Sequence, residues 1–164
     1  MRLRKVLIVC ALAGAGLAGS ALAAPKPPAD GTLSVRDGRA AIQLRLRGTI
    51  IGRLGRGKLV VTDSADGATI VVRGAENRDV LGRTITYTGM NIRFRVADDK
   101  RFGVKLSGKG LNFSAVGRGD GWMDGWGDPA GGVFFDGSYS LNGVDYQSLP
   151  NERTRFDLAA TAGG

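Results

Sequence analysis

The sequence predicts an all-β fold: a single sandwich or barrel built from two similar tandem halves of ~60 residues, with a short β-solenoid as the alternative. Three observations lead there. Apolar and polar residues alternate with a period of two over most of the chain, and nothing beyond the first 23 residues carries a helical period. Turn residues recur at short intervals, among them 27 glycines. The sequence also nearly repeats itself. Displaced by 62 positions, Arg39, Leu44, Gly48, Gly55, Arg56 and Gly57 fall on Arg101, Leu106, Gly110, Gly117, Arg118 and Gly119, and Ile42, Ile51 and Leu54 fall on Val104, Phe113 and Val116. Upstream the displacement is 61, setting Leu33 and Val35 on Phe94 and Val96; downstream it is 63, setting Gly74 on Gly137.

Residues 1–23 read as a signal peptide: basic Arg2, Arg4 and Lys5, an apolar run from Val6 to Leu17, and a small-residue cleavage site at Ala21-Leu22-Ala23. The run is short for a spanning helix, which needs ~20 residues, so removal is expected, with retention as an anchor the alternative; no second long apolar segment follows, so no transmembrane segment is expected in the mature chain. Residues 24–31, with three prolines, form an extended leader. The domain is expected over 32–158, divided at about 88/89, with a flexible tail over 159–164.

Within the domain Leu33 and Val35 alternate with polar residues up to Asp37-Gly38, a hairpin signal because both turn positions need positive φ. The return strand alternates Ala40, Ile42, Leu44 and Leu46 with Arg39, Gln43, Arg45 and Arg47. A second hairpin repeats the pattern, with Met90, Ile92, Phe94 and Val96 before Asp98-Asp99-Lys100 and Phe102, Val104 and Leu106 after it. Both put apolar side chains on one face and charged ones on the other. Further strands are expected at 58–62, 69–73, 84–88, 111–116, 133–136 and 145–149, and a last one over 153–158. The matched glycines suit bulges or sharp corners. The duplicated Gly-Arg-Gly singles out Arg56 and Arg118, which no turn requires, as candidate binding residues.

Composition narrows the chemistry. There is no histidine, which removes the commonest general base and histidine-bound zinc. The one cysteine, Cys10, sits in the signal segment without a lipobox, so the mature chain has no thiol and no disulfide. Two glutamates, Glu76 and Glu152, leave acid–base work to aspartates, and most of these sit beside glycine in turns. A non-enzymatic protein without a cofactor is the expectation, with a structural or interaction protein without ligand and an Asp-based glycan-active or glycan-binding protein as the alternatives. The charge is lopsided: residues 24–118 carry 18 basic and 8 acidic side chains, and residues 119–164 carry 2 and 7. A basic body of this kind suits an anionic envelope polymer or lipid headgroups outside the cell. Nucleic acid is disfavoured by export and by the lack of aromatics among the arginines. The outward Arg45, Arg47, Arg93 and Arg95 would form the contact face if the two hairpins lie side by side. Solvation of a plain sheet face is the simpler account of the same residues.

One segment stands apart. Residues 119–132 are rich in glycine and hold both tryptophans, Trp122 and Trp126, with Asp120, Asp124 and Asp128 at intervals of four. Carboxylates in a glycine-rich loop can hold calcium, and tryptophan beside aspartate can stack on a sugar ring. The competing account is scaffold, with Trp122 in the core and Trp126 at least partly outside.

The run from Gly110 to Asp124 and the tail Phe134-Phe135-Asp136-Gly137-Ser138-Tyr139 … Tyr146-Gln147-Ser148-Leu149-Pro150 resemble small uncharacterised secreted all-β proteins of GC-rich bacteria. The resemblance spans most of the mature chain. It implies export and a β fold, and brings no activity, ligand or site.

Overall fold

The computed structural model describes residues 30–127 and 136–159. The signal segment, nearly all of the leader, Asp128 and residues 133–135 of one expected strand lie outside the described residues.

Those residues form one antiparallel sheet without helix: β1 (Gly31–Thr62), β2 (Thr69–Arg73), β3 (Asn77–Leu81), β4 (Thr84–Gly125), β5 (Ser138–Leu141), β6 (Gln147–Ser148) and β7 (Thr154–Leu158). With no helix among them, none is long and apolar enough to cross a membrane. The sheet order is β2-β4-β1-β5-β6, with β3 and β7 also on β4, and the sheet does not close into a barrel. Its body is the pair β1 and β4, and each is bordered by the other on both edges. Ala40 faces Gly108 on one edge and Gly125 on the other; Thr62 faces Thr84 and Gly103. This pairing forces curvature. Leu46 lies opposite Phe102 and Gly48 opposite Gly117, yet the intervening stretch of β4 would span about 50 Å if straight. That stretch therefore curls round until its ends flank β1 on opposite edges. The inner face so enclosed is the core: Leu33, Ile42, Leu44, Leu46, Ile50, Leu54, Leu59, Ile92, Phe102, Leu106, Leu111 and Met123 are all fully buried.

Neither expected hairpin is present. Val35 pairs with Phe113 and Gly38 with Leu111, so the chain runs straight past Asp37-Gly38 with one extra residue. Asp37 has the positive φ, 49°, that the motif promised, and Gly38 does not. A reversal needs two such residues; one makes a bulge. Likewise Asp99, Lys100 and Arg101 bulge opposite Arg47 between the pairs Leu46–Phe102 and Gly48–Asp98.

The bulge at Asp37 belongs to a line that crosses the sheet. Asn91 (φ 57°), Gly110 (φ 68°) and Gly74 (φ 79°) occupy the same row on neighbouring strands, and Gly55 fills the remaining place. Each strand slips its alternation by one there. Core positions in β1 run 40, 42, 44, 46, 50, 54 and then 59, 61; in β4 they run 102, 104, 106 and then 111, 113, 115. Because neighbours slip together, the register Leu54–Leu111 passes unchanged to Arg56–Lys109.

The tandem halves are not confirmed. Under the 62-residue displacement Gly48 should match Gly110, but Gly48 has φ 149° and faces Gly117, whereas Gly110 has φ 68° and lies on the slip line. The two long strands are interleaved partners along most of their length.

Candidate anion-binding groove

Past the place where Asp99, Lys100 and Arg101 bulge opposite Arg47, outward positions of β1 continue from Thr49 through Ile51 to Arg53 while Ile50 and Leu54 point inward. In β4 the outward positions are Arg93 and Arg95, and in β2 they are Val71 and Arg73. Register brings these together. Arg73, Arg93 and Arg53 stand directly opposite one another across three strands, and the next row is Val71, Arg95 and Ile51. Beneath them Gly52 lies between Phe94 and Phe113, and the Phe113 Cβ and the Asn112–Phe113 backbone crowd the place its side chain would take.

The result is a groove of about 580 Å³ with an apolar floor and an arginine rim, lined by Ile51, Val71, Phe94, Arg53, Arg73, Arg93, Arg95 and Asn112. Ile51 and Val71 are 54% and 44% exposed. No carboxylate lines it, and among the described residues the ion pairs are Arg101–Asp120 and Arg118–Asp30 only. Like charges directly opposed on a sheet are destabilising, and guanidinium cannot lose its proton to relieve them. An anion placed between them would.

The arginines expected to share one face are divided among several places. Arg93 and Arg95 are in the groove. Arg45 is opposite Asp120 in a mixed-charge cleft of about 690 Å³ with Gln43, Trp122, Arg153, Arg155 and Asp157. Arg47 faces Arg118, beside Arg101 and Asp157. Arg56 faces Lys109, which also faces Arg39, and this second basic row has the exposed Trp126 at its edge. The curl of β4 explains the scatter: it turns the same strand face in different directions along its length. Sequence reasoning missed Arg53, Arg73, Ile51 and Val71. The alternation of β1 and β2 marks all four as outward; only the register shows that they meet.

In the glycine-rich segment, Trp122 is on the outer face, not in the core. The guanidinium of Arg153 stacks on its ring at 4.1 Å from the centroid, and Met123 takes the inward place. Asp120 is bound to Arg101 and faces Asp157, both of them outside the core. Along an extended strand Asp120 and Asp124 are about 13 Å apart, too far to share one ion. Asp128 lies outside the described residues. Among the described residues no three acidic, histidine or cysteine side chains group as metal ligands.

No family model, curated protein or solved structure matches this chain.

Proposed function

We propose that this protein is an exported, non-enzymatic module that binds an anionic polymer or surface of the cell envelope through the groove of Arg53, Arg73, Arg93 and Arg95. The carrying observation is the directly opposed row Arg73–Arg93–Arg53 with no carboxylate among its neighbours. Such a row opposes folding unless a polyanion neutralises it. The exposed Ile51 and Val71 between the arginines favour a ligand that also offers apolar surface, as an anionic lipid layer does. Signal-peptide chemistry and the basic body agree with an envelope location.

The test is retention of the mature protein on purified cell wall and on vesicles with and without anionic lipid, across a salt series. Retention should fall about tenfold or more between roughly 50 and 200 mM salt, because the bound polyanion releases counterions. Replacing Arg53, Arg73, Arg93 and Arg95 by Ser should abolish it, while Arg45→Ser with Arg47→Ser should leave most of it. Binding indifferent to salt and to the groove variants would refute the assignment.

A second reading, glycan binding, is favoured by the cleft where Trp122 lies among Gln43, Asp120 and Asp157. Its mark would be retention on neutral polysaccharide that survives salt and is lost in Trp122→Ala.

A further inference from the structure

Asp136 is 4% exposed, and among the described residues neither of its carboxylate oxygens has a hydrogen-bond partner. No ion pair among the described residues reaches it. A carboxylate taken out of water in this state is unfavourable unless something compensates its charge, and such a group points to an ion that completes it.

Its surroundings are built. The Arg39 N–H donates to the Asp136 carbonyl at 2.8 Å, and the Leu149 N–H donates to that of Gly137 at 3.1 Å. The Gly125 N–H donates to the Pro150 carbonyl at 2.7 Å, and the Trp126 N–H to that of Arg39 at 3.0 Å. Four chain segments are thus fastened together around this one side chain. Two of the residues packed against it are glycines, and a side chain at either would crowd the oxygens around Asp136. A Cβ on Gly127 would lie 3.0 Å from both Asp136 Oδ2 and Asn151 Oδ1. A Cβ on Gly125 would lie 3.2 Å from Asp136 Oδ2 and 2.8 Å from the Pro150 carbonyl oxygen, which still has a lone pair to offer. A carboxylate, an amide oxygen and a carbonyl oxygen thus converge where these two glycines pack against Asp136.

We propose that Asp136 binds a divalent cation there, calcium by the chemistry of the donors, with Asn151 Oδ1, the Pro150 carbonyl and water completing the shell. All donors are hard oxygens in irregular arrangement, which calcium accepts and magnesium, demanding a near-ideal octahedron, does not. One carboxylate makes a weak site, in the range of about 0.1–1 mM typical of extracellular modules. The ion would tie the turn at Pro150–Asn151 to the end of β4. This site is separate from the arginine groove and stands or falls without it.

Trp126, adjacent to Gly127, provides the probe. Terbium added to the mature protein should show saturable emission when tryptophan is excited, and millimolar calcium should remove it. About 10 mM calcium should raise the melting temperature by about 4 °C, and EDTA should reverse the rise. Asp136→Asn should abolish both responses. Asn151→Ala, which changes an exposed side chain, should raise the half-saturating calcium about tenfold and keeps the site testable if Asp136→Asn does not fold. Trp126→Phe should lose the emission and keep the melting shift. Absence of calcium-competed emission together with calcium-independent melting overturns the proposal, as does an Asp136→Asn protein that still responds.

Discussion

The carboxylate of Asp98 accepts the backbone N–H of Ala65 at 2.8 Å, fastening the connection between β1 and β2 to the bulge of β4. The second oxygen accepts the Lys100 N–H, also at 2.8 Å. Burial raises the pKa of this group, but the Ala65 and Lys100 amides, a bond with the Asp99 side chain and the Lys100 charge outweigh it, so it is held below the ordinary carboxylate value. A depressed folded-state pKa gives stability that is full above the unfolded value of 3.8 and is lost as pH falls through the folded one. Asp98→Asn should therefore cost about 2 kcal/mol near neutral pH and less in acid, the gap between the two proteins narrowing below about pH 4 in urea titrations.

Gly57 and Gly108 face each other, both with φ near 150°, and a Cβ on either would strike the backbone carbonyl of the opposite strand. Gly57→Ala should destabilise by about 3–5 kcal/mol, strain and overlap combined. Gly67→Ala, in open space, should stay within about 0.5 kcal/mol. Urea unfolding of the two proteins makes the comparison.

Removing a charge from the groove should help the fold. Arg93 has an arginine opposite it on both edges, so Arg93→Thr should raise stability by about 0.5 kcal/mol at low salt. High salt should erase the gain, since screening already relieves the repulsion in the parent. A loss of stability at low salt would mean that the arginines are compensated in some other way.

The two residues Trp122 and Met123 should differ sharply despite their sizes. Met123→Ala opens the core and should cost about 2–5 kcal/mol. Trp122→Ala removes an outer-face ring under Arg153 and should cost about 1 kcal/mol. Iodide should quench both tryptophans, and Trp122 more completely once Arg153 is changed to Ala.

Strand character and facing were legible in the sequence; partnership was not. The strand expected at 69–73 is β2 to the residue, and Ala40, Ile42, Leu44, Leu46, Phe94, Val96, Phe102, Val104 and Leu106 point inward as their alternation requires. β3 left no trace, because Asn77 to Leu81 are all exposed and do not alternate. The apparent duplication has a physical source: β1 and β4 border each other on both edges, so both need apolar residues at every second place and glycines where backbones approach. The groove was half legible. Arg93 and Arg95 were marked as outward, but which arginines oppose them depends on a register set by strands far away in sequence.

The interleaving of β1 and β4 also governs when this chain can fold. Gly31 waits for Gly117 and Ala40 for Gly125, so a chain released only as far as Leu81 has no partner for any part of β1. Among the described residues the short hairpins are those of β3 with the start of β4 and of β5 with β6, and neither involves β1. Folding should therefore begin only when nearly the whole chain is free, and then run slowly, in milliseconds to seconds, as non-local sheets do. Such a chain stays extended until its last third is free, and only then takes shape.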